Sequence, residues 1–264
     1  MNHTLKDLID AQGTPHQVIA EGEIPRIVSL VPSITELICD LGLAKYLVGR
    51  TGFCIHPKKF VSRIAKIGGT KDVNINKIRQ LSPSHLIVNI DENEKPTVEQ
   101  LAEFVPHIIV THPLKPADNL ALFRLLGGIF KVSAQAEKLC TEFEQALAKL
   151  QPDLPCKRVL YCIWKDPWMT VASDTYIAQQ LMLRNWKNWQ ADSQKRYPVF
   201  EWNQTLLDEI DEVLLSTEPY RFTQEHADQL QAQLGKPVRL VDGEMLSWYG
   251  SRAITGLRYL AGLK

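Results

Sequence analysis

Short apolar runs alternate with amphipathic stretches along most of the chain, and that rhythm predicts an α/β fold. The first run, Arg26-Ile-Val-Ser-Leu-Val31, reads as a strand ending at Pro32. Ser33-Ile-Thr-Glu36 then reads as a capping box opening a helix that carries Leu37, Ile38 and Leu41 and stops at Gly42. The same reading gives strands at Tyr46–Gly49, His85–Ile90 and His107–Thr111, with helices at Asn74–Leu81 and Thr97–Phe104 between them. A strand–helix–strand series of this kind implies a parallel sheet.

Residues 117–130 and 133–151 interrupt the rhythm with two helical patterns in succession. The second has Ala136, Leu139, Phe143, Leu147 and Leu150 on one face and ends at Pro152, with Pro155 beyond. A helix over 133–151 would span roughly 28 Å at about 1.5 Å per residue, enough to run from one lobe to another as a rigid connector. Beyond it, strands are expected at Arg158–Trp164, Met169–Ala172, Glu212–Ser216 and Val238–Val241, and helices at Thr175–Leu183, Thr223–Leu234 and Ser251–Leu263. The expected organisation is bilobal. It has a polar N-terminal extension over 1–25, an α/β lobe over 26–130, a long connecting helix over 131–152 and a second parallel-sheet α/β lobe over 153–264.

Composition narrows the function. Thirty Lys+Arg against thirty Asp+Glu give a net charge of +0, so there is no basic field with which to collect nucleic acid. No window approaches the roughly 18 consecutive apolar residues of a membrane span, and the polar start, with Asp7 and Asp10, has no secretory h-region. The five cysteines, Cys39, Cys54, Cys140, Cys156 and Cys162, are odd in number and sit in mostly apolar settings, as free thiols in a reducing compartment do. A cytoplasmic location is expected on these grounds, and a periplasmic one if an export signal has been trimmed.

All six tryptophans, Trp164, Trp168, Trp186, Trp189, Trp202 and Trp248, follow residue 163. Core packing is the ordinary use of this side chain. The segment Trp164-Lys-Asp-Pro-Trp168 nevertheless sits where a strand gives way to a loop, and in open α/β sheets ligands lie beyond the carboxyl ends of strands. Three further polar and aromatic stretches take the same position: Asn89–Glu94 with Glu92, Glu218–Phe222 with Tyr220, and Asp242–Arg252 with Glu244, Trp248 and Tyr249. The aromatic residues among them are either half-buried loop supports or ligand contacts. Asp242, Glu244 and Arg252 form either a helix-capping network or a clamp for an anionic ligand.

Other chemistry is thinly represented. His56, beside Pro57, is either a metal ligand or a hydrogen-bonded loop residue. His85, His107 and His112 lack zinc-site spacing, Cys54 has no His partner at a motif distance, and no G-x-S-x-G elbow exists. Gly68-Gly69-Thr70-Lys71 lacks the first glycine of a phosphate loop and reads as a turn. No metal-ligand set can be named.

These residues carry a resemblance. Arg26–Glu36, Val48-Gly49 with Phe53 and Pro57, Ile67–Thr70, Asn74–Ile78 and Leu81–Ile87 resemble the first lobe of the helical-backbone metal receptor superfamily, the substrate-binding proteins for cobalamin, siderophores and haem. The likeness runs from about Arg26 to the C-terminus. Trp164–Trp168, Asp174–Ile177, Glu218–Tyr220, Val241–Glu244 and Ser247–Arg252 resemble its cobalamin-binding-like subgroup without an evident export signal. The resemblance implies a bilobal substrate-binding-protein fold with the ligand clamped between two lobes joined by a long helix. It also implies that Phe53 packs on a corrin-like ring, with Trp168 near a second such position. Thr70 and a position near Pro198 stand where cobalamin binders place tryptophans. Asn76 and Gln204 stand where transporter-linked members carry the glutamates that dock on an ABC permease, so permease docking is not expected through those charges.

The expected function is therefore non-enzymatic binding of a small molecule, a corrinoid, haem or ferric chelate, with no cofactor required. Phe53, Trp164, Trp168, Tyr176, Tyr220, Trp248 and Tyr249 would form its aromatic walls, and His56, Glu92, Asp166, Glu244 and Arg252 its polar contacts. One alternative is an exported substrate-binding protein of an ABC importer with its signal removed. The other is an enzyme using Asp166, Glu244 and His56 for acid–base work on a small substrate.

Overall fold

The structure, a computed structural model, describes residues 8–150 and 154–263. The chain divides into two units. Unit one holds the residues up to Pro113, Ala117–Phe143 and Tyr249–Arg252, and unit two holds Leu114–Pro116, Glu144–Trp248 and the residues from Ala253 onward.

Unit one is built on a parallel sheet of β1 (Ile27–Ser29), β2 (Leu47–Arg50), β3 (Ala65–Lys66), β4 (His85–Asn89) and β5 (His107–Thr111), in the order β3-β2-β1-β4-β5. The connecting helices are α1 (Pro32–Asp40), α2 (Lys58–Val61), α3 (Ile75–Leu81) and α4 (Lys95–Ala102), followed by α5 (Asp118–Ile129) and α6 (Ser133–Leu147). All five residues of β4 are buried, because a parallel strand with crossover helices on both faces has no solvent side. Val28, Leu30, Leu86 and Val88 pack with Ile78 and Leu101 on one face of the sheet.

Unit two repeats the plan with β6 (Lys157–Cys162), β7 (Trp186–Asn188), β8 (Glu212–Ser216) and β9 (Val238–Val241), parallel and in the order β7-β6-β8-β9. Its helices are α7 (Tyr176–Met182), α8 (Gln204–Glu209), α9 (Gln224–Leu234), α10 (Gly243–Ser247) and α11 (Arg252–Gly262). The two-residue period of a strand sorts β6 between two cores. Val159 and Tyr161 pack with Ala178, Leu181, Leu246 and Leu260, whereas Leu160 and Cys162 pack with Leu206, Phe222 and Leu230.

The expected strands over 107–111, 212–216 and 238–241 form with those bounds. Helix starts at Asn74, Thr175 and Thr223 are true N-caps, each side-chain oxygen accepting a backbone N–H of the first turn. Four expectations are corrected. Ser33 does not cap α1, which begins one residue earlier at Pro32, a residue that suits the first helical position because it has no N–H to satisfy. Met169–Ala172 is not a strand. Met169 only bridges to Trp164 and Val199, while the sheet's edge is β7, three residues too short to show a period. The helix expected over 133–151 ends at Leu147, at fifteen residues, and its residues from Glu144 belong to unit two. Gln151 and Pro152, where it was expected to end, lie outside the described residues, as do residues 1–7 of the N-terminal extension. Of the five cysteines, all free, Cys156 is exposed and not buried.

Because the strands of each unit are parallel, their carboxyl ends share one rim, and the segments following β2, β4 and β5, or β6, β8 and β9, emerge together. The opposite rim of unit one holds His85, buried and stacked on His107 at 4.7 Å with Phe130 edge-on at 5.0 Å. Burial, with His107 adjacent, pushes its pKa down from 6.5 to about 4, partly opposed by Glu23. The unfolded chain takes up this proton below pH 6.5 and the folded one only near pH 4, so stability is full above 6.5 and falls as pH drops through that window. His85→Phe, which keeps the ring stack, should lose less stability than the wild type between pH 7 and pH 4.5, by on the order of 2 kcal/mol. Urea midpoints at the two pH values check this; equal acid losses would refute it.

Candidate functional site

In unit one the turn after β2 presents Phe53 to solvent. Gly52 N–H donates to Gly68 O at 2.7 Å, and the Cys54 thiol is held beneath by the hydroxyls of Thr35 and Thr51 at 3.0 and 3.1 Å. Phe53 is 63% exposed beside Gly69, where a Cβ would sit 3.4 Å from its ring. The turn is thus braced from within and leaves the ring at the surface. His56 follows, half-buried.

After β4, a turn is built by Asn89 and Asn93. Asn89 N–H donates to Asn93 Oδ1, Asp91 N–H to Asn89 Oδ1, and Asn93 Nδ2 to Thr70 O. It presents Asp91, whose carboxylate lies 3.3 Å from His112 Nε2 beyond β5, and Glu92. Glu92 accepts the Tyr249 hydroxyl proton at 2.5 Å. Burial and the neighbouring carboxylate hold the Tyr249 phenol well above its usual pKa, so it remains a donor. The segment Tyr249–Arg252 is fixed at two further points, by Gly250 N–H to the buried Asn119 Oδ1 at 2.6 Å and by Arg252, whose fork meets both Glu36 oxygens at 2.7 Å. Arg252 thus holds a carboxylate from α1, and Glu36 has that role in place of the expected cap.

In unit two the loop after β6 is a tight hairpin, with Ile163 N–H donating to Met169 O and Met169 N–H to Trp164 O. Asp166 turns it in the left-handed region, at φ 59, and is exposed. Trp164 is 39% exposed and meets Tyr220 edge-on at 5.4 Å. Tyr220 lies 4.5 Å from Phe222, and Phe222 stacks at 10° on Trp168, which meets Trp202 edge-on at 5.3 Å. The rings form a ladder from solvent into the core. Trp164 is its outer rung, while Trp168 is packed against Phe200, Trp202 and Phe222. Tyr176 is buried at the start of α7.

Two residues that organise this rim were not singled out from sequence. Asn188 closes β7: its amide donates to Thr170 Oγ1, Val171 O and Trp189 O and its oxygen accepts from Tyr161 N–H, pinning the return of the Trp164 loop. Glu218 follows β8 and accepts from Trp248 Nε1 at 2.6 Å and Ser247 Oγ at 2.8 Å. Burial pushes the Glu218 pKa up, opposed by those two hydrogen bonds and helped by Glu244 and Asp242. Gly243 is required there, since a Cβ would lie 2.5 Å from both Glu218 Cγ and Ser216 Oγ. A half-buried acceptor among alternating donors has no motif spacing, although Glu218 opens the Glu218–Phe222 stretch.

Among the described residues, no group of three or more His, Cys, Asp or Glu side chains could hold a metal ion, and no helix is long and apolar enough to cross a membrane. His56 belongs to unit one, and Asp166 and Glu244 to unit two. Asn76 is exposed on α3; Gln204, the first residue of α8, donates its amide to Asp208.

Two substitutions test these supports. Glu218→Ala strands the Trp248 indole donor and should destabilise by about 2 kcal/mol and change the near-ultraviolet dichroism of tryptophan, with Glu218→Gln, which keeps an acceptor, close to wild type. Arg252→Ala leaves a half-buried carboxylate without its charge partner and should cost about 2 kcal/mol in urea unfolding without any ligand present, and Arg252→Lys should recover only part because it lacks the fork.

With this geometry in view, the known proteins it resembles are informative. The profile of the family described as periplasmic binding protein matches residues 27–235. The vitamin B12-binding protein of Pectobacterium carotovorum subsp. carotovorum (strain PC1) is 23% identical over 234 residues, covering 87% of this chain and 84% of that relative. The solved periplasmic vitamin B12 binding protein BtuF of Vibrio cholerae superposes with a TM-score of 0.74 at 19% identity, covering 90% of this chain and 95% of that one. The periplasmic haem-binding protein RhuT from Roseiflexus sp. RS-1 does so at 0.75 and 20%, covering 90% and 97%. The fold is that of the bilobal binding proteins, the resemblance read from the sequence is borne out, and the role is ligand binding and not catalysis. The chain belongs to the periplasmic binding protein family.

Proposed function

We propose that this protein binds a flat metal chelate of the corrinoid or haem class. The observation that carries the reading is the ring ladder of unit two, which ends in solvent at Trp164 with the half-buried Tyr220 edge-on to it, on the rim where an open parallel sheet receives its ligand. Phe53 gives unit one an exposed aromatic face on the corresponding rim. Flat macrocycles are held by ring area with a few polar contacts, and relatives named for vitamin B12 and solved structures named for vitamin B12 and haem support that class. Within this proposal Phe53, Trp164 and Tyr220 are the stacking residues, and His56, Asp166 and Glu244 the polar contacts. Trp168 and Tyr176 support the rims by packing, and Trp248, Tyr249, Glu92 and Arg252 through the hydrogen bonds described.

The proposal extends to handling of the ligand. A permease of the ABC class is the partner that the family suggests, yet the exposed Asn76 and the Asp208-bonded Gln204 are uncharged, so coupling would not run through charge at those two positions. The family's name carries a periplasmic location into the proposal. The free thiols, four of them shielded in the interior, are indifferent to it, so the cytoplasmic expectation has no support from the structure.

Titration of cyanocobalamin and of haemin, followed by tryptophan fluorescence, tests the reading. Saturable quenching by at least one is expected. A Phe53→Ala, Trp164→Ala double variant should bind at least about tenfold more weakly, since each aromatic stacking contact contributes about 0.5–1.5 kcal/mol, with thermal stability little changed. Trp168→Ala should mainly destabilise, by about 3 kcal/mol. Quenching by neither compound, or a double variant that binds as tightly as wild type, would overturn the proposal.

A further inference from the structure

Charge is balanced over the whole chain but not along it. Leu41–Lys71 holds seven Lys+Arg and neither Asp nor Glu, against thirty of each sign overall. This stretch forms one edge of unit one, because β3 is the outer strand of the sheet and α2 carries the chain to it from β2. Lys58, Lys59, Arg63, Lys66 and Lys71 are all exposed there. Among the described residues none of the five lies in an ion pair. Cations elsewhere on the surface do have acidic partners: Arg124 meets Glu137 at 2.8 Å, Arg158 meets Asp211 at 3.0 Å and Lys138 meets Glu142 at 3.9 Å. Arg50 adds to the field from beneath. It is buried and bonds carbonyls instead of a carboxylate, donating Nε to Val61 O and Nη1 to Thr51 O at 3.0 Å. These bonds tie α2 to the end of β2, so the exposed side chains stand on a fixed base.

Apolar side chains are exposed among these cations. Ile55 is 51% exposed and Phe60 39%, and Lys59 Nζ lies 4.8 Å from the centroid of the Phe60 ring. A soluble polyanion would neutralise the lysines but give Ile55 and Phe60 no cover. A bilayer with acidic headgroups satisfies both, since its phosphates meet the cations while apolar side chains reach the acyl boundary.

We propose that the β2–β3 edge of unit one is a docking surface for an anionic lipid bilayer, with Ile55 and Phe60 in the headgroup layer and the five unpaired cations on the phosphates. The inference does not rest on the ligand class proposed above.

Sedimentation of the full chain with vesicles tests it, using phosphatidylcholine alone against an equal mixture with phosphatidylglycerol. Binding to the mixed vesicles only is expected, falling as salt is raised because screening shortens the reach of the field. Lys58→Gln with Lys59→Gln should weaken it about 25-fold, about fivefold for each lysine. Lys138→Gln with Lys187→Gln removes the same charge elsewhere and should leave binding unchanged. Phe60→Ser should weaken it at every salt concentration. All these side chains are exposed, so the variants should keep native far-ultraviolet dichroism. Failure to bind the anionic vesicles, equal binding to pure phosphatidylcholine, or equal losses from the two lysine pairs would overturn the proposal. So would displacement from vesicles by polyglutamate together with unchanged binding by Phe60→Ser, the behaviour of a surface that receives an acidic protein.

Discussion

A parallel strand covered on both faces has nowhere to carry chemistry except its ends, and both units of this protein are built under that constraint. β4 and β8 bury every residue they contain. Their helices consume the apolar faces, so polar and aromatic side chains are displaced into the segments that follow each strand. Parallel order then gathers those segments on one rim without any of them being neighbours in sequence. Phe53, Glu92 and His112 share a rim in unit one for this reason, as do Trp164, Glu218 and Trp248 in unit two.

What the rims hold is organised by half-buried acceptors. Glu218 accepts hydrogen bonds from an indole and a hydroxyl, Glu92 from a phenol, and Glu36 from a guanidinium. Each is a half-buried carboxylate on which donors converge, so each ties together elements far apart in the chain. The result is a division between side chains that shape the rim and side chains that face outward from it. The first group, Trp248, Tyr249 and Arg252, is spent on internal bonds; Phe53, Trp164 and Tyr220 are held in place by packing or turn geometry and keep ring surface exposed.

Strong periods were legible in the sequence. Strands 107–111, 212–216 and 238–241 have apolar cores flanked by turns, and Asn74, Thr175 and Thr223 are caps whose side chains announce them. Weak periods were not: β7 is three residues long, and Met169–Ala172 has the composition of a strand but only donates to the carbonyls of Pro198 and Arg196, and Pro198 has no N–H to return. Ser33 and Glu36 fit the spacing of a capping box, yet Pro32 sets the helix start and Glu36 turns to Arg252, a partner 216 positions away. For the rims, the position of each segment was readable from the strand that precedes it. The sorting of Trp164 outward and Trp168 inward was not, because it depends on Phe200, Trp202 and Phe222 arriving from other loops.

The cysteines give the fold a practical asymmetry. Burial pushes the Cys39 thiol up to about 12 and raises those of Cys54 and Cys162, so these sulfurs are both sheltered and protonated, while Cys140 is buried against α5. Cys156, just before β6, is alone in reaching solvent. Because only the thiolate reacts, a maleimide added to the folded native protein finds a single address. The molecule thus comes with one natural point of attachment for a dye or a surface, placed at the amino end of β6, away from the rim that carries Trp164.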